Sequence, residues 1–253
     1  KYSLIILKIL FIKKIYEVYK RKGFLGLLIS CIKYINPKTP KNPNISLKYR
    51  ACFIHIPKCG GTSIEQLIFN PYNDRYSIGA DGGKYYGADH STILAFSKYY
   101  HFYIFTFVRN PYTRIISVFN YYMNNGNGGY SDSTLITDKK NTSLDNFLEI
   151  YNCNQISHLN TQFFYLKDSK NINYIAKFEN YNKELEKILS ILNIKNKRVN
   201  HYRKTKKFKN LITPKFIEKV NQIYEIDFIK YNYKMITLKD SIEYDKFVKN
   251  CCT

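Results

Sequence analysis

The stretch Phe53-Ile54-His55-Ile56-Pro57-Lys58-Cys59-Gly60-Gly61-Thr62-Ser63 sets a lysine, two adjacent glycines and two hydroxyls directly after an apolar run. A strand that hands such a loop to a helix is a device for holding an anion. Gly60 and Gly61 let the backbone approach the ligand, and the first amides of the helix have no intrahelical acceptor. Lys58 adds a full positive charge, and Thr62 and Ser63 add donors. A second turn of similar build follows in Phe107-Val108-Arg109-Asn110-Pro111. There Arg109 leaves the end of another apolar run, and Pro111 suits the first turn of a helix. Arg114 and Ser117 are three residues apart and share one helix face. An arginine and a hydroxyl converging beside the first loop would suit a second phosphate group.

Residue order sets the first turn apart from the nucleoside-triphosphatase loop. That loop needs GxxxxGK[ST], with lysine after the glycines; here Lys58 comes before them. No apolar strand ends in an obvious magnesium-holding aspartate, so a nucleotide without a bound metal is the better fit.

The elements that must position these turns can be read from hydrophobic period and punctuation. Residues 49–56 and 101–108 read as buried strands, and 171–180 as a third. A helix is expected over 62–69, with Thr62 as N-cap and Glu65 closing a capping box. The helix after Pro111 carries Ile115, Val118, Phe119 and Tyr122 on one apolar face, with Arg114 and Ser117 opposite. Further helices are expected at 90–100, 143–151 and 182–194, the last with Leu185, Ile188, Leu189 and Leu192 inward. Two more helical segments follow at 214–223 and 224–231. Long polar loops are expected at 70–88 and 124–142, and a basic loop at 198–210. Strand and helix alternate, which implies a parallel sheet with helices on both faces. In such folds ligands sit beyond the carboxyl ends of the strands, where both turns lie.

Bulk properties narrow the class without deciding it. A chain of 253 residues with 45% hydrophobic residues can bury a real core. The formal net charge of +21 favours polyanions, nucleotides or an anionic membrane surface, but a compositional skew towards Lys, Asn, Ile and Tyr explains it as well. The six cysteines show no paired CxxC spacing, so no metal site is expected and a reducing, cytoplasmic compartment is the default. Residues 4–22 look helical, but Lys8, Lys13 and Lys14 cut the apolar run below the ~18 residues of a spanning helix. A helix packed on the domain is favoured there, with peripheral membrane contact through residues 3–35 as the other reading.

Taken together, the two turns are specific. IPKxGGTS followed by VRNPYxRxxSxFxYY resembles the two nucleotide-binding signatures of sulfotransferases that use 3′-phosphoadenosine 5′-phosphosulfate. The chain most resembles the sulfotransferase 2 family, which includes carbohydrate O-sulfotransferases. The resemblance extends through Gly87-Ala88-Asp89-His90-Ser91-Thr92, through 174–181 and through 224–233, and so covers about residues 50–233. It implies a P-loop-like three-layer α/β fold, a central parallel sheet flanked by helices, with an N-terminal helical extension. The corresponding divisions are 1–48 for the extension and linker, 49–238 for the sulfotransferase-like domain and 239–253 for a charged tail. The resemblance also implies that Lys58, Cys59, Gly60, Gly61, Thr62 and Ser63 grip the 5′-phosphosulfate, while Arg109 and Ser117 grip the 3′-phosphate. No metal is implied. The acceptor would be a carbohydrate or another hydroxyl-bearing molecule, and a Golgi lumen follows if an anchor precedes Lys1.

Transfer to a hydroxyl needs a base, and histidine is apt near neutral pH. His90 is the first candidate, because the family often has a Gly-His-His-Ser element at this point. His55 is expected to be packed under the first loop; His158 and His201 are the next candidates, and Asp89 and Glu65 weaker ones. Cys59, between Lys58 and a helix N-terminus, is expected to be a reactive thiolate if it faces the ligand. Two other readings stay open on the residues alone. A P-loop nucleotide kinase or NTPase fails on lysine order. A non-catalytic polyanion- or nucleic-acid-binding module explains the charge but not the paired turns, and no specific nucleic-acid motif is present.

Overall fold

Three short runs of β-branched and aromatic residues form the parallel part of a four-stranded sheet. In a computed structural model, residues 44–69, 92–124, 136, 138–139, 141–167, 171–195 and 212–237 are described. Strand β1 (Ile45–Ser46) pairs antiparallel with β2 (Ala51–Ile54). Strand β2 then pairs parallel with β3 (Tyr103–Val108), and β3 with β4 (Tyr174–Lys177). The order across the sheet is β1-β2-β3-β4. All four residues of β2 and all but Tyr103 of β3 are buried, as a sheet covered on both faces requires. Phe53 lies opposite Phe105, and the one buried hydroxyl in this layer, Thr106, donates to the Ile54 carbonyl at 2.8 Å. Strand β1 was not legible in the sequence, where Ile45-Ser46 reads as the end of a proline-rich linker.

Helices fill the connections. Helix α1 (Gly61–Ile64) continues without a break into a π-helical turn, Glu65–Phe69. A 3₁₀ segment covers Ile93–Tyr99. Helix α2 (Pro111–Met123) starts where the Asn110 side chain accepts the Tyr112 amide and Pro111 occupies the first turn. Helix α3 (Leu144–Ile150) is capped by Ser143, and the short α4 (Gln162–Leu166) by Thr161. Helix α5 (Tyr181–Ile191) buries Leu185, Ile188 and Leu189 as its period predicts. Helix α6 (Pro214–Lys230) is kinked at Tyr224, at the expected division between two helical segments.

Two buried clusters hold these layers. One joins the strands to α1 and α5 through residues such as Phe53, Phe105, Ile64 and Leu185. The other joins α2, α3 and α6 through Ile115, Val118, Phe147, Phe216 and Val220. The architecture is α/β, a mostly parallel sheet flanked by helices, as the alternating sequence pattern implies. The helix expected over 4–22 and the rest of residues 3–35, the loop 70–88, His90, the basic segment 198–210 and the tail 239–253 lie outside the described residues.

Candidate functional site

The turn after β2 is built by positive backbone angles at alternate residues. Lys58 has φ 67° and Gly60 φ 83°. For glycine this is free; for lysine the left-handed conformation costs about 1 kcal/mol and persists only where the surroundings impose it. They do so here. The Lys58 carbonyl accepts from Arg109 Nη1 at 3.1 Å, and the Lys58 ammonium stands 4.5 Å from the centroid of the Tyr121 ring.

Gly60 is the N-cap of α1, ahead of the Thr62 that the sequence suggests. Thr62 is therefore the second residue of the helix rather than its cap. Glu65 does not close a capping box either; its Oε1 lies 2.5 Å from His55 Nδ1, and both side chains are buried. The imidazole is packed under the loop as expected, so close that a Cβ on Gly61 would stand 2.3 Å from His55 Nε2. Gly61 is thus required by the histidine beneath it, not only by a ligand above it. Gly60 is crowded from another side, where a Cβ would meet the rings of Tyr181 at 2.7 Å and Phe178 at 2.9 Å.

Cys59 corrects the expectation of a reactive thiolate. Its side chain turns inward, fully buried, with Sγ 3.4 Å from Gln162 Oε1. Burial pushes the thiol up to about 12, and the opposing influence of Arg114 and Arg109 does not offset it. Only the backbone of Cys59 belongs to the turn, its amide bonding the Ile56 carbonyl at 3.3 Å. Alkylation of the folded chain is accordingly not expected at this residue.

The second turn is fixed from outside its own segment. Gln162 clamps the main chain of Arg109 twice, accepting from its amide at 2.7 Å and donating to its carbonyl at 2.8 Å. Glu179 takes the next amide, Asn110, at 2.7 Å. The Arg109 guanidinium donates through Nε to Thr113 Oγ1 and lies 4.4 Å from the Phe178 ring centroid. With its bond to the Lys58 carbonyl, this ties the two turns side by side at the ends of adjacent parallel strands.

Arg114 also departs from expectation. It does not lie on a polar helix face but is fully buried. Its Nε donates to the Pro57 carbonyl at 3.3 Å, and Nη2 to the carbonyls of His158 and Asn160 at 2.9 and 2.5 Å. The base of the first loop is thereby strapped to the segment before α4. Ser117 is buried on α2, one turn before Tyr121 and on the same side. Ser63 stands beside the Tyr181 phenol, whose proton affinity burial raises and that hydroxyl lowers, while the phenol donates to the Gly60 carbonyl at 3.1 Å.

Several of these supports carry no sequence signal that reads as a site. Gln162 sits in an irregular stretch, and Tyr121, though it falls inside the second signature, carries no assigned role there. Asp227 offers a hint, an acid in the apolar run Ile226-Asp227-Phe228-Ile229. It is buried and accepts the first two amides of α4, from Gln162 at 2.8 Å and Phe163 at 2.9 Å. Burial raises its carboxyl, and Arg114 acts in the opposite direction. His158 is buried against Tyr121 and Tyr122. Desolvation first, then Lys58, Arg114 and His55, lower it to about 3. It stays neutral at physiological pH and is poorly matched to accept a proton there.

The paired turns, with lysine ahead of the glycines and arginine at the next strand end, decide the family. A model of the sulfotransferase family matches residues 42–234. The chain belongs to the sulfotransferase family. Nothing among curated proteins or solved structures matches it. The match spans every described element and both turns, and sulfuryl transfer is the general activity it supports. No helix among the described residues is long and apolar enough to cross a membrane.

Proposed function

We propose that this sulfotransferase moves a sulfuryl group from 3′-phosphoadenosine 5′-phosphosulfate to an acceptor hydroxyl, with carbohydrate as the acceptor class. The observation that carries this reading is the junction of two anion-suited turns through the Arg109–Lys58 bond. A cradle whose Gly60 and Gly61 admit no side chain leaves backbone amides to face a phosphosulfate. Arg109, with Ser117 on the neighbouring helix, would hold the 3′-phosphate. The donor supplies the activated sulfuryl group. Lys58 and the amides at the start of α1 would meet the negative charge that grows on the 5′-phosphate as its bond to sulfur breaks. The acceptor oxygen forms the new bond to sulfur in line, and its proton passes to a base. Bound nucleotide leaves as 3′-phosphoadenosine 5′-phosphate.

His90 is the proposed base, by resemblance, and lies outside the described residues. The low proton affinity of His158 favours this choice over the nearest described alternative. His90→Ala should lower kcat while leaving nucleotide affinity within about twofold, since a general base contributes about a hundredfold or more to rate and little to ground-state binding. Full turnover by His90→Ala would move the base elsewhere.

The donor assignment is tested by calorimetry with 3′-phosphoadenosine 5′-phosphate and AMP. A charge-assisted phosphate contact set is worth about 1.5–3 kcal/mol, so the bisphosphate should bind at least about tenfold tighter. Equal affinities would remove Arg109 and Ser117 from the 3′-phosphate role. Carbohydrate as the acceptor class follows from the resemblance.

A further inference from the structure

We infer that Tyr121 is a positioning residue for Lys58, its ring face setting where the ammonium of the first loop stands. For the transfer step this rests on the reading of Lys58 in the preceding subsection; the contact itself does not.

The Lys58 Nζ lies 4.5 Å from the Tyr121 centroid, within the range of a cation–π contact. Lysine over tyrosine is common on protein surfaces, and this chain has others, such as Lys177 over Tyr233 and Lys187 over Tyr174. Three features set Lys58 and Tyr121 apart. The pair joins the strained turn after β2, where Lys58 has φ 67°, to the last turn of α2. The Tyr121 ring is itself held edge-on, against Tyr122 at 5.3 Å and against His158 at 5.4 Å. His158 is in turn anchored by its carbonyl to buried Arg114.

The ring beside the lysine is therefore mounted on a rigid buried support. Because His158 stays uncharged, the support adds no second cation beside the ammonium. At the other end, the Lys58 carbonyl is bonded to Arg109. Lysine is a flexible point charge with four rotatable stem bonds, and holding it at one place is what a charge-stabilising role demands. Tyr121 lies one turn beyond Ser117 on the same side of α2, so one helix face would present both the hydroxyl and the lysine's seat.

The direct test is NMR of the chain carrying ¹³C-labelled lysine, with Lys58→Arg identifying the resonance. The expected result is an upfield ring-current shift of the Lys58 ε-methylene, kept in Tyr121→Phe and lost in Tyr121→Leu. In transfer assays Tyr121→Leu should lower kcat about fivefold to tenfold at nearly constant donor KM, with Tyr121→Phe close to wild type. An ordinary Lys58 shift in the wild-type chain would overturn the inference, and that measurement needs no variant to fold. A folded Tyr121→Leu with unchanged kcat would overturn the catalytic part. A shifted Lys58 in a chain that transfers no sulfuryl group would instead contradict the function proposed above, leaving Tyr121 as the seat of the lysine.

Discussion

Lys58→Ala lowers kcat for sulfuryl transfer by about a hundredfold or more, on the proposal that its charge is met most strongly in the transition state. Donor-product affinity should fall much less, because the backbone of the Gly60–Gly61 cradle remains. Lys58→Arg should not restore full rate. A guanidinium can stack on the Tyr121 ring, but it spreads its charge over a planar fork and does not place a compact point charge where Nζ stands, 4.5 Å from the centroid. The check is steady-state kinetics alongside calorimetry on the same preparations. A rise in donor KM at unchanged kcat would show that Lys58 contributes uniform binding only, and the assigned role would be wrong.

Arg114→Leu should unfold the protein more readily by about 3–5 kcal/mol, since it strips the donor from three carbonyls and each orphaned group costs about 1–3 kcal/mol. Those carbonyls belong to Pro57, His158 and Asn160. The melting temperature should drop by roughly 10 °C or more for a chain of this size. This outcome separates two readings of one residue. Were Arg114 a phosphate ligand on a polar helix face, the substitution would weaken nucleotide binding and leave melting nearly unchanged. The buried position of Arg114 predicts the reverse order, with stability lost first and binding lost only as a consequence.

The contrast shows why the sequence misleads at Arg114. The apolar stripe Ile115, Val118, Phe119, Tyr122 is real, and all four are buried. Periodicity assigns the opposite face to solvent, which holds for a helix covered on one side. Helix α2 is covered on more than one side, so Tyr112, Arg114, Ile116 and Ser117 are buried as well. A similar limit explains Glu65. Thr62 and Glu65 have capping-box spacing, but that template knows only local neighbours, and His55, just past the end of β2, takes the carboxylate.

What local chemistry can decide was legible. Parallel strands at 51–54 and 103–108, proline opening α2 and the break of α6 at Tyr224 all follow from apolar runs and punctuation. Gln162 and Glu179 were not, because their work is to satisfy main-chain groups of another segment. Nothing in their own neighbourhoods announces a partner at Arg109 or Asn110. The family was readable because two turns of specific residue order recur together, a signal that needs no tertiary contact to be seen.

The most direct measurement of the central claim is transfer of labelled sulfuryl from 3′-phosphoadenosine 5′-phosphosulfate to a panel of glycans, lipids and small alcohols, read by mass spectrometry. The expected product is a sulfate ester on an acceptor hydroxyl, glycans foremost, formed equally well with EDTA or with Mg²⁺ and suppressed by Lys58→Ala. No labelled product from any acceptor class, together with Mg²⁺-dependent hydrolysis of ATP, would contradict it.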